Sequence, residues 1–179
     1  MASQDARSMV DRMIGASRLD IHIFEEVEAD TSATRQALLV VLLVALATGI
    51  ASMGTFGLLG LIIGAVVAVA GWAIWAWIVY FIGTKILPEQ ETHADWGQLA
   101  RSLGFAQSPG VLWVFGVVPG VVDILFLIVS IWMLVSMVIA VRQALDYTST
   151  LRAIGVVLLG FIPYVILASI ALTILGPTV

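Results

Sequence analysis

The stretch LLGLIIGAVVAVAGWAIWAWIVYFI, Leu58 to Ile82, decides the fold: 25 residues without a charged side chain or a proline. A bilayer core of roughly 30 Å needs about 20 helical residues at ~1.5 Å each, so this run is long enough to cross one. Backbone N–H and C=O groups in hydrocarbon must pair within their own segment, which makes the helix obligatory despite its glycines and β-branched residues. A barrel strand would instead alternate polar and apolar residues over about 10 positions, and no such alternation occurs.

Working outward, four further uncharged or nearly uncharged runs stand at 37–53, 102–118, 121–141 and 153–175. The expected fold class is therefore all-α, a polytopic transmembrane bundle of about five spans. Residues 1–36 form an amphipathic cytoplasmic arm ahead of a transmembrane domain at 37–179. Composition agrees, because 61% of the 179 residues are hydrophobic and 11% charged, where a soluble domain carries about 25% charged. Too few polar groups exist to cover a water-facing surface.

Orientation follows from the basic residues. With the N-terminus cytoplasmic, Arg7, Arg12, Arg18, Arg35, Lys85, Arg101, Arg142 and Arg152 all fall inside. The outer turns Gly54–Gly57 and Pro119–Gly120 and the tail Gly176–Val179 carry none, so the C-terminus is expected outside. In the arm, Met9, Val10, Met13 and Ile14 recur at helical spacing. Asp20 can cap a second piece with Ile21, Phe24 and Val27 on one stripe. These stripes either lie along the membrane interface or pack under the bundle, and the acidic run Glu25, Glu26, Glu28, Asp30 favours packing.

Within the spans, Gly57, Gly60, Gly64, Ala68 and Gly71 form a small-residue series that Ala45 and Gly49 could face. It reads as hairpin packing inside the chain, or as a groove for a second copy. Pro109 and Pro163 are expected as kinks in the third and fifth spans. Asp123 sits at the outer start of the fourth span, where capping free N–H groups is the simpler role and a polar or ion site the alternative. Trp77, Tyr80 and Trp96 fit interface anchors. Trp72, Trp113 and Trp132 lie deeper and read as packing, with a contact to a pigment or quinone as the lesser alternative.

Chemistry is sparse. The chain has no cysteine, which removes thiolate ligands and a cysteine nucleophile. A net charge of −4 leaves no broad basic surface for nucleic acid. His93 with Glu91 and Asp95, and His22 with Glu25 and Glu26, read as solvated groups rather than metal sites. Neither a metalloprotease helix motif, a nucleophile elbow nor a P-loop occurs. Neither catalysis, a cofactor nor a metal is expected.

Several segments together resemble the Yip domain family of Ypt/Rab-interacting membrane proteins. They are the arm Arg18-Leu-Asp…Phe24-Glu-Glu-Val-Glu-Ala-Asp running into Gln36-Ala-Leu-Leu, the glycine-rich second span, and the Tyr80-Phe-Ile-Gly83 exit. With them stand Gln98-Leu-Ala-Arg-Ser-Leu-Gly-Phe-Ala-Gln-Ser-Pro109, Ile139-Ala-Val-Arg-Gln-Ala144 and Arg152-Ala-Ile. The resemblance implies five helices, a cytoplasmic N-terminus and, in eukaryotic relatives, binding of prenylated small GTPases. This chain lacks their long cytosolic region and an Asp-Leu-Tyr-Gly-Pro motif, and Gly104-Phe105 stands where many members have Gly-Tyr. Those departures weigh against a GTPase partner and towards the compact prokaryotic form, in an inner membrane. The expected role is a scaffold or accessory subunit that packs against lipids and another membrane protein or a second copy. The alternative is a small transporter or channel using the kinked spans.

Overall fold

A computed structural model describes residues 7–51, 53–118 and 120–175. The tail Gly176–Val179 and Pro119, both read as part of the outer face, lie outside the described residues. The chain is helical throughout: α1 Met9–Ser17, α2 Ile21–Ala29, α3 Ala33–Ala51, α4 Met53–Phe81, α5 Trp96–Phe105, α6 Val122–Ala144 and α7 Thr150–Leu175. A π-helical turn, Ile82–Ile86, ends α4, and a 3-10 helix, Ser108–Val117, follows α5. By length and composition four helices can cross a membrane: Ala33–Ala51, Gly57–Ile86, Val122–Ala144 and Thr150–Ile170.

Each helix starts and stops for a local reason. Ser8 Oγ accepts from Asp11 N at 3.2 Å to cap α1, and Asp20 caps α2 through His22 N at 3.0 Å. A reciprocal Asp95–Gln98 capping box opens α5. Two ends use a left-handed residue that is not glycine. After α1, Leu19 (φ 62°) lets Asp20 N reach Gly15 O while Leu19 N reaches Ala16 O. After α6, Asp146 (φ 53°) lets Tyr147 N reach Arg142 O and Asp146 N reach Gln143 O. Both are the paired end motif that glycine normally serves. Gly57, with φ 59° and ψ −165°, breaks the helix at the head of α4, so the crossing starts there.

The segment expected as a third crossing, 102–118, is not one α-helix. Its first turn belongs to α5, and ten residues of 3-10 helix follow. Proline explains the switch. Pro109 sits in the first turn of the 3-10 helix rather than kinking an α-helix. It has no N–H for the Phe105 carbonyl four residues back; the Ser108 hydroxyl donates to that carbonyl instead, at 2.6 Å. Pro163, by contrast, remains inside a continuous α7.

One hydrophobic cluster runs through the whole bundle. Ala16, Ile23, Phe24 and Val27 from the arm belong to it, with Ala37 and Val40 of α3, Val79 of α4, Leu99 and Phe105 of α5, Val141 of α6 and Val156 of α7. The arm therefore shares the core of the spans. It packs along the flank of α5 and α6 at the end where the basic residues collect. Its contact also reaches away from that end, for Trp132, at the middle of α6, donates Nε1 to the Ser17 carbonyl at 2.7 Å.

Candidate functional site

The basic end is held by two arginines that the sequence reading used only as topology markers. Arg12 is 2% exposed. Its Nε donates to Glu26 at 2.9 Å, Nη1 to Gln36 at 3.0 Å and Nη2 to Asp30 at 2.7 Å. One guanidinium thus ties α1 to α2, to the turn after α2 and to the head of α3, with five donors in a rigid fork. The Ser32 hydroxyl and then Arg12 hold the Asp30 carboxyl below its ordinary pKa. The signal was present in sequence. Arg12 lies on the same stripe as Met9, Met13 and Ala16, where a solvated charge does not belong.

Arg101, 5% exposed on α5, makes the second tie. Its Nε reaches the carbonyls of Val27 and Glu28 at 3.0 Å each, and Nη2 also donates to the Glu28 carbonyl. These are last-turn carbonyls of α2, unpaired within the helix and at its negative dipole end. Gln98 Nε2 donates to the Glu28 carboxylate at 2.9 Å in the same seam.

Glu28 responds to that burial. Desolvation first, then the Asp146 carboxylate, push its pKa from 4.5 up to about 7, against the opposing pull of Arg101. The fold therefore holds this proton more tightly than the unfolded chain does. Its contribution is fully present below about pH 4.5 and is lost as pH rises to about 7. The melting temperature in detergent is expected to fall between about pH 5 and about pH 7.5, and Glu28→Gln to flatten that slope. An unchanged slope in the variant would contradict the assignment.

The two polar loops at this end are cross-braced. Glu89 accepts from Thr148 N at 2.9 Å and Thr148 Oγ1 at 2.8 Å, and pairs with Arg152 at 3.2 Å. The Tyr147 hydroxyl points at the Gly83 and Leu87 carbonyls, at 3.0 and 2.7 Å, where the π-helical turn runs out. Among the described residues no three His, Asp or Glu side chains gather as a metal site.

The interior differs from this clamped end. A cavity of about 440 Å³ lies along the contact of α3 and α4, with Ala45 and Gly49 on one wall and Gly60, Gly64 and Ala68 on the other. A second, of about 290 Å³, lies between α4, α6 and α7 and includes Gly71, Trp75 and Tyr164. Ala68, Gln107 and Met133 line both. Part of the small-residue series borders that space, while Gly49 packs on α4, where a Cβ would stand 3.3 Å from Leu61 Cγ and 3.7 Å from its Cα. A Cβ built on Gly57 or Gly64 meets nothing within 4 Å. Among the described glycines, the closest approach to a neighbouring backbone is at Gly104, whose Cβ would stand 2.7 Å from Ala37 Cβ and 3.2 Å from that residue's backbone.

The remaining expected residues are scattered. Trp77 is 56% exposed and stacks on Phe81 at 5.6 Å, while Trp96 is half-buried and donates to the Ala73 carbonyl at 3.3 Å. Tyr80 packs at the edge of the core. Trp72 is buried and donates to the Ala100 carbonyl at 2.9 Å, as a packing role requires. Asp123 is exposed in the first turn of α6 but does not cap it, because the cap position is Val121 and makes no side-chain bond. One residue inside the helix, its carboxylate can meet the positive dipole end without closing over the free N–H groups.

A search of curated proteins and one of solved structures each find no match. A family model, the Yip1 domain, matches residues 22–170, from the first turn of α2 to within five residues of the end of α7. The chain belongs to the Yip1 domain family.

Proposed function

We propose that this protein is a non-enzymatic integral-membrane scaffold, with its basic end in the cytoplasm of a prokaryotic cell and α4 as its docking helix. One observation carries the reading. Only 6% of the most apolar window of the Gly57–Ile86 crossing is buried within the chain, against 33% for Ala33–Ala51. Leu58, Leu59, Ile62, Ile63, Val66 and Val67 all face outward. Open glycines beside them let a second helix approach closely, and small residues are what membrane helices use for that contact. The partner is a second copy of the chain or another membrane protein.

The clamped basic end suits this role, since a docking helix works best on a rigid base. The transport reading has less support. None of the described residues lining the two interior cavities is Asp, Glu, Lys or Arg, so a charged substrate finds no counter-charge there.

The natural absence of cysteine makes the test clean. Val66→Cys, on the exposed face of α4, is expected to crosslink in native membranes, to twice the mass for a second copy or to another defined mass for a different partner. Ile131→Cys, equally lipid-facing on α6, should not. Absence of any crosslink along α4, with a monodisperse monomer in mild detergent, would overturn the reading.

A further inference from the structure

The turn between α1 and α2 lies well away from the end where the rest of the arm is tied. Near the end of α6, Gln143 donates to Glu25 of α2 at 2.9 Å. Trp132 of the same helix donates to the Ser17 carbonyl at 2.7 Å. About three helical turns, roughly 16 Å, separate those two α6 positions at ~1.5 Å per residue. Helical side chains lean towards the N-terminus of their own helix. In α6 that is the end away from the basic residues, so the indole does not draw the turn back.

The outer surface of α6 changes character close to this bond. Ile128, Ile131, Leu134 and Val135 are exposed, whereas every residue from Ser136 to Ala144 is buried or half-buried. Exposed apolar surface on a crossing helix meets hydrocarbon, so on this side lipid reaches the level of the turn. The tip suits that border. Ile14 and Ile21 are 46% and 43% exposed, and Arg18 between them is exposed as well. The Arg18 guanidinium has no ion pair or hydrogen bond among the described residues. Leu19 holds the left-handed position (φ 62°), where glycine is free of the strain that a Cβ brings. A leucine is a poor choice there for a turn in water and a fitting one for a turn set in lipid. The arm's acids stand back from the tip: Arg12 holds Glu26 and Asp30, and Glu25 stays with Gln143. Asp20, at the turn itself, is engaged as the cap of α2.

We propose that the α1–α2 turn is seated in the lipid leaflet at the basic end, with Ile14, Leu19 and Ile21 among acyl chains and Arg18 on a phospholipid phosphate. Arginine suits that boundary, because its alkyl stem lies along apolar surface while the guanidinium bonds the phosphate. The arm is then a second membrane anchor beside the spans. This rests on α6 crossing the bilayer and is independent of any protein partner on α4.

The test places a nitroxide on single cysteines of the full chain in vesicles of phosphatidylethanolamine and phosphatidylglycerol. Collisions with oxygen, which concentrates in lipid, and with a water-soluble nickel chelate read the depth of each label. Val135→Cys supplies the lipid reference and His93→Cys the water reference. Ile14→Cys and Ile21→Cys are expected to favour oxygen, with nickel collisions several-fold below those at His93→Cys. Adding Arg18→Glu, which sets a carboxylate against the phosphates, is expected to raise nickel collisions at Ile21→Cys several-fold, and Arg18→Gln to raise them less. Both isoleucine positions as wet as His93→Cys, with Val135→Cys in lipid, would overturn the proposal and leave the bundle standing. Water readings at Val135→Cys as well would sink the crossing on which it rests. Indifference of Ile21→Cys to both Arg18 variants would overturn the phosphate contact.

Discussion

Replacing Arg12 with methionine is expected to destabilise the folded chain by about 2–4 kcal/mol, seen as a large fall in melting temperature and early proteolysis of the arm. The side chain is 2% exposed and its three bonded partners lie on α2, the following turn and α3. Removing one partner of a buried ion pair usually costs 3–5 kcal/mol, because the other charge is stranded. Here the stranded groups are Glu26 and Asp30, whose side chains are 30% and 27% exposed. Water can repay part of that penalty, which sets the lower range. Arg12→Lys should recover less than half, since one ammonium cannot reach three partners in the plane of a guanidinium fork. A melting temperature within a degree of wild type for Arg12→Met would refute the clamp.

Gly104→Leu should be worse, with loss of about 3 kcal/mol or more, up to failure to fold. A Cβ at this position already meets Ala37 Cβ at 2.7 Å and the Ala37 backbone at 3.2 Å. The backbone of α3 has no rotamer to change, so α3 and α5 must separate along their whole contact. Gly64→Leu is the control. Nothing lies within 4 Å of its Cβ, and its effect on the isolated chain should stay within about 0.5 kcal/mol. The added side chain fills part of the space between α3 and α4. Equal destabilisation by the two substitutions would mean that α4 is packed in a way the cavity denies.

The contrast between these glycines marks what the sequence could say. Spacing revealed a run of small residues on one helix, but whether a small residue meets a backbone depends on a partner far along the chain. Gly104 meets Ala37, which no periodicity within either helix encodes. The long apolar helices were legible because hydropathy is local. Expected bounds of 58–82, 121–141 and 153–175 meet Met53–Phe81, Val122–Ala144 and Thr150–Leu175 to within a few residues. The short run after Ser102 was readable as apolar but not as 3-10 helix, whose cause is one proline and a serine hydroxyl. Two helix ends escaped for a different reason: Leu19 and Asp146 occupy left-handed positions where glycine is the usual signal.

The polar clamp was the least legible part of the site. Arg101 bonds to carbonyls at positions 27 and 28, and backbone acceptors leave no trace in composition. Arg12 was more accessible, because an arginine on a buried stripe announces a partner without naming it.

A membrane bundle with its basic end inside is tested most directly by single-cysteine labelling. Ser8→Cys, His93→Cys and Asp123→Cys can each be treated with a membrane-impermeant maleimide in sealed, right-side-out vesicles. Asp123→Cys is expected to label at once, while Ser8→Cys and His93→Cys label only after the membrane is permeabilised. Labelling of Ser8→Cys and His93→Cys in sealed vesicles, with Asp123→Cys protected, would contradict it.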